Sequence, residues 1–105
     1  MDRYFLHEKL HCYQLAVEIG RWLRAADFPV GEASLRDQGK RAADSVALNI
    51  AEGTRMVGKN RRKYFAYAEA SAAEACAVLD LIDIDGSAET QWRLRRVAAM
   101  ARRLR

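Results

Sequence analysis

A chain of 105 residues is long enough for one hydrophobic core and too short for two. Half of the residues are apolar, yet no apolar run approaches the roughly 18 residues that a membrane span needs. A net charge of +4 and two cysteines complete the outline, which excludes a disordered chain, a disulfide-stapled mini-protein and a two-domain nucleotide enzyme.

Six glycines and one proline leave few turns and long helices. The 3.6-residue spacing predicts a first helix from about His7 to Ala26, with Cys12, Ala16, Ile19, Leu23 and Ala26 in one stripe. Tyr13, Leu15, Val17 and Trp22 widen that stripe toward more than one neighbour. Pro29 disfavours helical geometry at Phe28 and ends the segment. A second helix is expected from Glu32 or Ser34 to Glu52, facing inward through Leu35, Gly39, Ala42, Val46, and Asn49 or Ile50. Gly53 stands where a left-handed C-terminal cap would sit, before a loop over Thr54–Gly58.

The third helix, about Lys59 to Ile84, begins basic and then carries Tyr64, Phe65, Ala68, Ala72, Ala75 or Cys76, Leu79 and Ile82 inward. Its alanine-rich middle permits close helix contact. Asp85-Gly86-Ser87 makes a turn, and a fourth helix starting at Ser87 points Leu94, Val97 or Ala98, Ala101 and Leu104 inward. No segment alternates with period two. The expected fold is therefore all-α: an antiparallel up-down-up-down four-helix bundle, residues 1–105 forming a single domain. Asp2 and Glu8 near the start, without an apolar stretch, argue against secretion. Cys12 and Cys76 read as small buried hydrophobes in a reducing cytosol, so the expected localisation is cytoplasmic, away from membranes.

The charge is segregated. Residues 36–63 carry +5, residues 64–90 carry −6 with no basic side chain, and residues 91–105 carry +6 with no acidic one. A basic face attracts polyanions, and phosphate contacts are the main source of nucleic-acid affinity. The candidate nucleic-acid-binding residues are Arg36, Lys40, Arg41, Arg55, Lys59, Arg61, Arg62 and Lys63, which lie around the joint between the second and third helices. They are expected to gather at one end and side of the bundle. The competing account pairs the basic blocks with the acidic one, within the chain or between subunits.

Two short motifs point elsewhere. His7-Glu8-Lys9-Leu10-His11 has the H-E-x-x-H spacing that puts two zinc ligands on one helical face. A catalytic zinc needs a third protein ligand; with no third histidine, Glu32 would have to serve, from just beyond the Pro29 loop. Gly53–Lys59 fits G-x-x-x-x-G-K, but Asn60 replaces the magnesium-binding serine or threonine and a helix leads in where a strand belongs. Neither supports catalysis. The weaker reading of the second motif survives: Gly58 opens a helix whose first amides, beside Lys59, Arg61, Arg62 and Lys63, favour a phosphate group. No enzyme activity, cofactor or metal is expected.

Phe28-Pro29, Gln38 with Lys40-Arg41-Ala42-Ala43, the run Ser45–Gly53 followed by Arg55, and Ala70-Ser71-Ala72-Ala73-Glu74 form one ordered pattern. It resembles the four-helix-bundle proteins encoded in intervening sequences of bacterial 23S ribosomal RNA genes, relatives of the accessory variability determinant of diversity-generating retroelements. The resemblance covers about Leu10 to Ile84, and Ala70 stands where members often have glycine. It implies a bundle assembled into a ring, a pentamer in known relatives, with a basic surface proposed to bind RNA or DNA. The retroelement relative partners a reverse transcriptase. Under this resemblance Arg41 and Arg55 match basic positions, and Asn49, Glu52, Gly53, Ser71 and Glu74 match polar structural positions. The expected function is a non-enzymatic, homo-oligomeric nucleic-acid-binding protein, accessory to RNA processing or reverse transcription. The alternative is a protein–protein scaffold with no nucleic-acid role.

Overall fold

The computed structural model describes residues 4–105, so Asp2 lies outside the described residues. A 3-10 turn over Leu6–Lys9 precedes α1 (His11–Ala25), α2 (Ala33–Arg55), α3 (Gly58–Leu81) and α4 (Ser87–Leu104), and the described residues contain no strand. Each helix packs on the next in sequence and α1 also packs on α4, so the four surround one core.

The core is built from the stripes that the periodicity marks. Leu15, Ile19 and Leu23 of α1 meet Val46 and Ile50 of α2, Phe65 and Leu79 of α3, and Leu94 and Val97 of α4. Between these larger groups lie Ala42, Ala43, Ala68, Ala72, Ala75 and Ala101, all buried. Such small side chains let helix axes approach closely. The α2–α3 seam is tightest: a Cβ on Gly39 would come within 3.1 Å of Val78, and one on Gly53 within 3.1 Å of the Phe65 ring.

Three local expectations need correction. The first helix does not start at His7: Leu10 is extended, with φ −75° and ψ 128°, and separates the 3-10 turn from α1. Gly53 is not a left-handed cap. It is buried inside α2, which continues to Arg55, and glycine serves there to admit Phe65 rather than to reverse the chain. The left-handed glycines are Gly31, Gly58 and Gly86. Finally, α3 ends at Leu81, earlier than the apolar pattern suggests, although Ile82 remains in the interior.

Gly86 shows how one joint is fixed. Its φ of 89° suits glycine, and the Trp22 ring lies 3.0 Å from where a Cβ would stand. Ser87 completes the turn by accepting a hydrogen bond from the Ile84 amide at 3.0 Å. Trp22, packed on this joint, and Tyr13 are half-buried, whereas Tyr67 and Trp92 stay open to solvent. Cys12 is buried and Cys76 only half-buried; burial pushes both thiols above their ordinary pKa.

Candidate nucleic-acid interface

The eight basic candidates fall into two groups. Arg36, Lys40 and Arg41 lie on the first turns of α2, whereas Arg55 is its last residue. At 1.5 Å per residue, Arg36 and Arg55 stand about 28 Å apart along the axis. The structure therefore brings together Arg55, Lys59, Arg61, Arg62 and Lys63 and leaves the other three at the far end. That separation corrects the expectation of a single cluster. Its cause is the unbroken length of α2.

The near end is organised by the two-residue joint Met56-Val57 and by Gly58, whose φ of 58° turns the chain into α3. Lys59, Arg62 and Lys63 are exposed on the first turns of α3, where the free amides add positive potential. Lys63 lies over the Tyr64 ring at 5.0 Å. Arg55 approaches Glu52 only at 3.9 Å, with its own side chain 69% exposed. Arg61 differs from its neighbours. Its Nε donates to the Leu104 carbonyl at 2.9 Å and its guanidinium lies 5.0 Å above the Phe65 ring, so it ties α3 to the end of α4.

That tie carries a second set of cations to the same end. Arg102 and Arg103 are exposed on the last turn of α4, and Arg105 meets Glu69 at 3.3 Å. They are absent from the candidates read around the α2–α3 joint. The block of arginines in residues 91–105 was the available signal, but using it requires knowing which end of α4 meets α3. Among the described residues, Lys59, Arg62, Lys63, Arg102 and Arg103 form no ion pair.

The opposite end mixes both signs. Asp80, Asp83, Asp85 and Glu89 follow one another through the end of α3, the turn and the start of α4. Gly39 beside Val78 brings the first turns of α2 there too, so Arg36, Lys40 and Arg41 share their neighbourhood with carboxylates. Arg36 also pairs with Asp37 at 3.2 Å, and Arg93 with Glu89 at 3.1 Å. One end of the bundle is thus strongly cationic and the other close to balanced.

The polar positions of the motif lie on α2 and α3. Asn49 Nδ2 donates to the Ser45 carbonyl at 2.8 Å and to Ser45 Oγ at 2.9 Å, and Ser71 Oγ donates to Ser45 Oγ at 2.9 Å. This ladder joins α2 to α3 across an otherwise alanine-rich seam. Glu52 serves Arg55, and Glu74 is exposed on α3. Ser45, which supplies the hub of the ladder, was not singled out from the sequence.

The H-E-x-x-H segment does not share one helix. His7 sits in the 3-10 turn between the Phe5 and Tyr13 rings, at centroid distances of 5.8 and 4.7 Å, while His11 opens α1 beyond extended Leu10. No group of three or more possible metal-binding side chains forms among the described residues. Replacing His7 and His11 by alanine is expected to leave any zinc content of the purified protein unchanged, as elemental analysis would measure. The melting midpoint should fall only by the small amount due to lost ring contacts. The G-x-x-x-x-G-K stretch runs from inside α2 through the joint into α3, so a helix precedes it.

A family model described as 23S rRNA-intervening sequence protein matches residues 8–94. No curated protein and no solved structure matches the chain. No helix among the described residues is long and apolar enough to cross a membrane.

Proposed function

The chain belongs to the 23S rRNA-intervening sequence protein family, and we propose that it is a non-enzymatic, homo-oligomeric protein that binds the backbone of RNA or DNA through a basic face. The observation that carries this reading is the exposed cluster Arg55, Lys59, Arg62 and Lys63 at one end of the bundle, which among the described residues forms no ion pair except Arg55 with Glu52. Phosphates are the natural partners of such a cluster, and the first amides of α3 point to the same chemistry. Tyr64 and Tyr67 are the nearest aromatics and meet each other edge to face at 6.0 Å. Base stacking therefore contributes little, and sequence preference is weak.

The bundle is antiparallel and up-down-up-down in this account. Neighbouring pairs support it: Gly39 with Val78, Ser45 with Ser71 and Gly53 with Phe65 rise along α2 as they fall along α3. Self-association, as a ring of the kind the resemblance implies, takes place in the cytoplasm, in service of RNA processing or of a reverse transcriptase. The rival role is a scaffold that binds only protein. It draws on a groove of ≈ 410 Å³ between α1 and α2, lined by Ala16, Val17, Gly20 and Ala47 together with the paired Arg24 and Asp44, and bordered by exposed Leu48.

Binding of mixed RNA and duplex DNA at low and physiological salt separates the two. The nucleic-acid role requires retention at low salt that falls steeply as salt rises. Absence of retention at low salt would remove it. Light scattering at micromolar concentration tests the assembly, and a mass near 11.9 kDa would leave the ring without support.

A further inference from the structure

We propose that nucleic acid is engaged end-on, by a phosphate-binding cap whose second half is the last turn of α4, with Arg102 and Arg103 as binding residues. The inference rests on the nucleic-acid reading above and fixes which part of the surface carries it. Three observations converge. The Arg61 bond to the Leu104 carbonyl, 2.9 Å long, anchors the last turn of α4 against the first turn of α3. Arg105 is drawn to Glu69 on the next turns of α3 at 3.3 Å, which holds the end of the chain along the same seam. Arg102 and Arg103 are left exposed and without an ion pair among the described residues, beside a joint that already presents Lys59, Arg62 and Lys63.

Arg61 is then a positioning residue. Its Nε is committed to a carbonyl and its plane to Phe65, so its main effect on a ligand is to hold two cationic helix ends at one level. Arg36 and Arg41 make no part of the cap. They lie about 28 and 21 Å from Arg55 along α2, toward the end that also holds Asp80, Asp83, Asp85 and Glu89, where a phosphate chain meets repulsion as well as attraction.

The test compares two double variants that remove the same charge from opposite ends: Arg102→Gln with Arg103→Gln, and Arg36→Gln with Arg41→Gln. Fluorescence anisotropy of a labelled mixed-sequence RNA duplex, and of its DNA counterpart, is followed from about 50 to 200 mM salt. The α4 pair should weaken both complexes and lower the salt slope by nearly two contacts, while the α2 pair tracks the unmodified protein. Equal losses in the two variants would show that net charge alone matters and overturn the cap. So would an α4 pair that binds normally, although the broader nucleic-acid reading would survive either result. No binding by the unmodified protein at low salt would defeat both. A second measurement avoids substitutions: bound duplex should protect Lys59 and Lys63 from acetylation and leave Lys40 reactive. Protection of Lys40 alone would overturn the proposal.

Discussion

Replacing Phe65 by alanine is expected to lower the stability of the bundle by about 3–5 kcal/mol. The ring is fully buried, abuts Gly53 of α2 and lies under the Arg61 guanidinium, so its loss opens a cavity where α2, α3 and the end of α4 converge. The neighbours are poorly placed to collapse into that space. Gly53 has no side chain to offer, and Arg61 is held by the Leu104 carbonyl. At about 4–8 °C per kcal/mol for a domain of this size, the thermal midpoint should fall by roughly 12–40 °C. Circular dichroism melting would measure it, and Phe65→Leu should recover much of the difference. A fall of only a few degrees would mean that the seam can close without the ring.

The second large effect concerns binding. Replacing Arg55, Arg61 and Arg62 together by glutamine should weaken nucleic-acid binding across sequences and lower the salt slope by about 1.8, if Arg55 and Arg62 each make one phosphate contact on duplex DNA. The oligomer should remain. The hydrogen bond of Arg61 separates this variant from a simpler one. The triple variant also loses the tie between α3 and α4, whereas Arg55→Gln with Arg62→Gln removes only exposed charge. The melting midpoint should therefore drop in the triple variant and hold in the double one. Equal melting in the two would show that the Arg61–Leu104 bond contributes little to the bundle. Unchanged binding in both, with a damaged oligomer, would favour the scaffold role.

The helices and most of their inward faces were legible because apolar spacing is a local property. Ile19, Leu23, Val46, Ile50, Phe65, Leu79, Leu94 and Val97 all lie on the marked stripes and form the core. Places where a distant residue decides the outcome were not legible. Gly53 looks like a helix stop until Phe65, twelve positions later, is seen against it. The first turn around His7 looks helical until the flanking Phe5 and Tyr13 rings, with extended Leu10, are taken into account.

The candidate site was half legible for the same reason. Nearness in sequence joins Arg55 to Lys63 correctly, since only Met56 and Val57 separate α2 from α3. Applied to Arg36, Lys40 and Arg41, it fails along a 23-residue helix. Arg102 and Arg103 belong at the same end through contacts across more than forty positions, which no local pattern announces.

An excess of cations at one end of a molecule 46 Å long, against nearly balanced charge at the other, gives it a permanent electric moment along its length. A nearby polyanion exerts a torque on that moment before any side chain touches a phosphate. Molecules approaching with the other end forward are turned, and a larger share of collisions arrives correctly aimed. This aiming reaches only about as far as ions in solution allow, roughly 8 Å at physiological ionic strength. The association rate should therefore lose its salt-sensitive part once that distance is much shorter than the bundle, even where the final contacts persist.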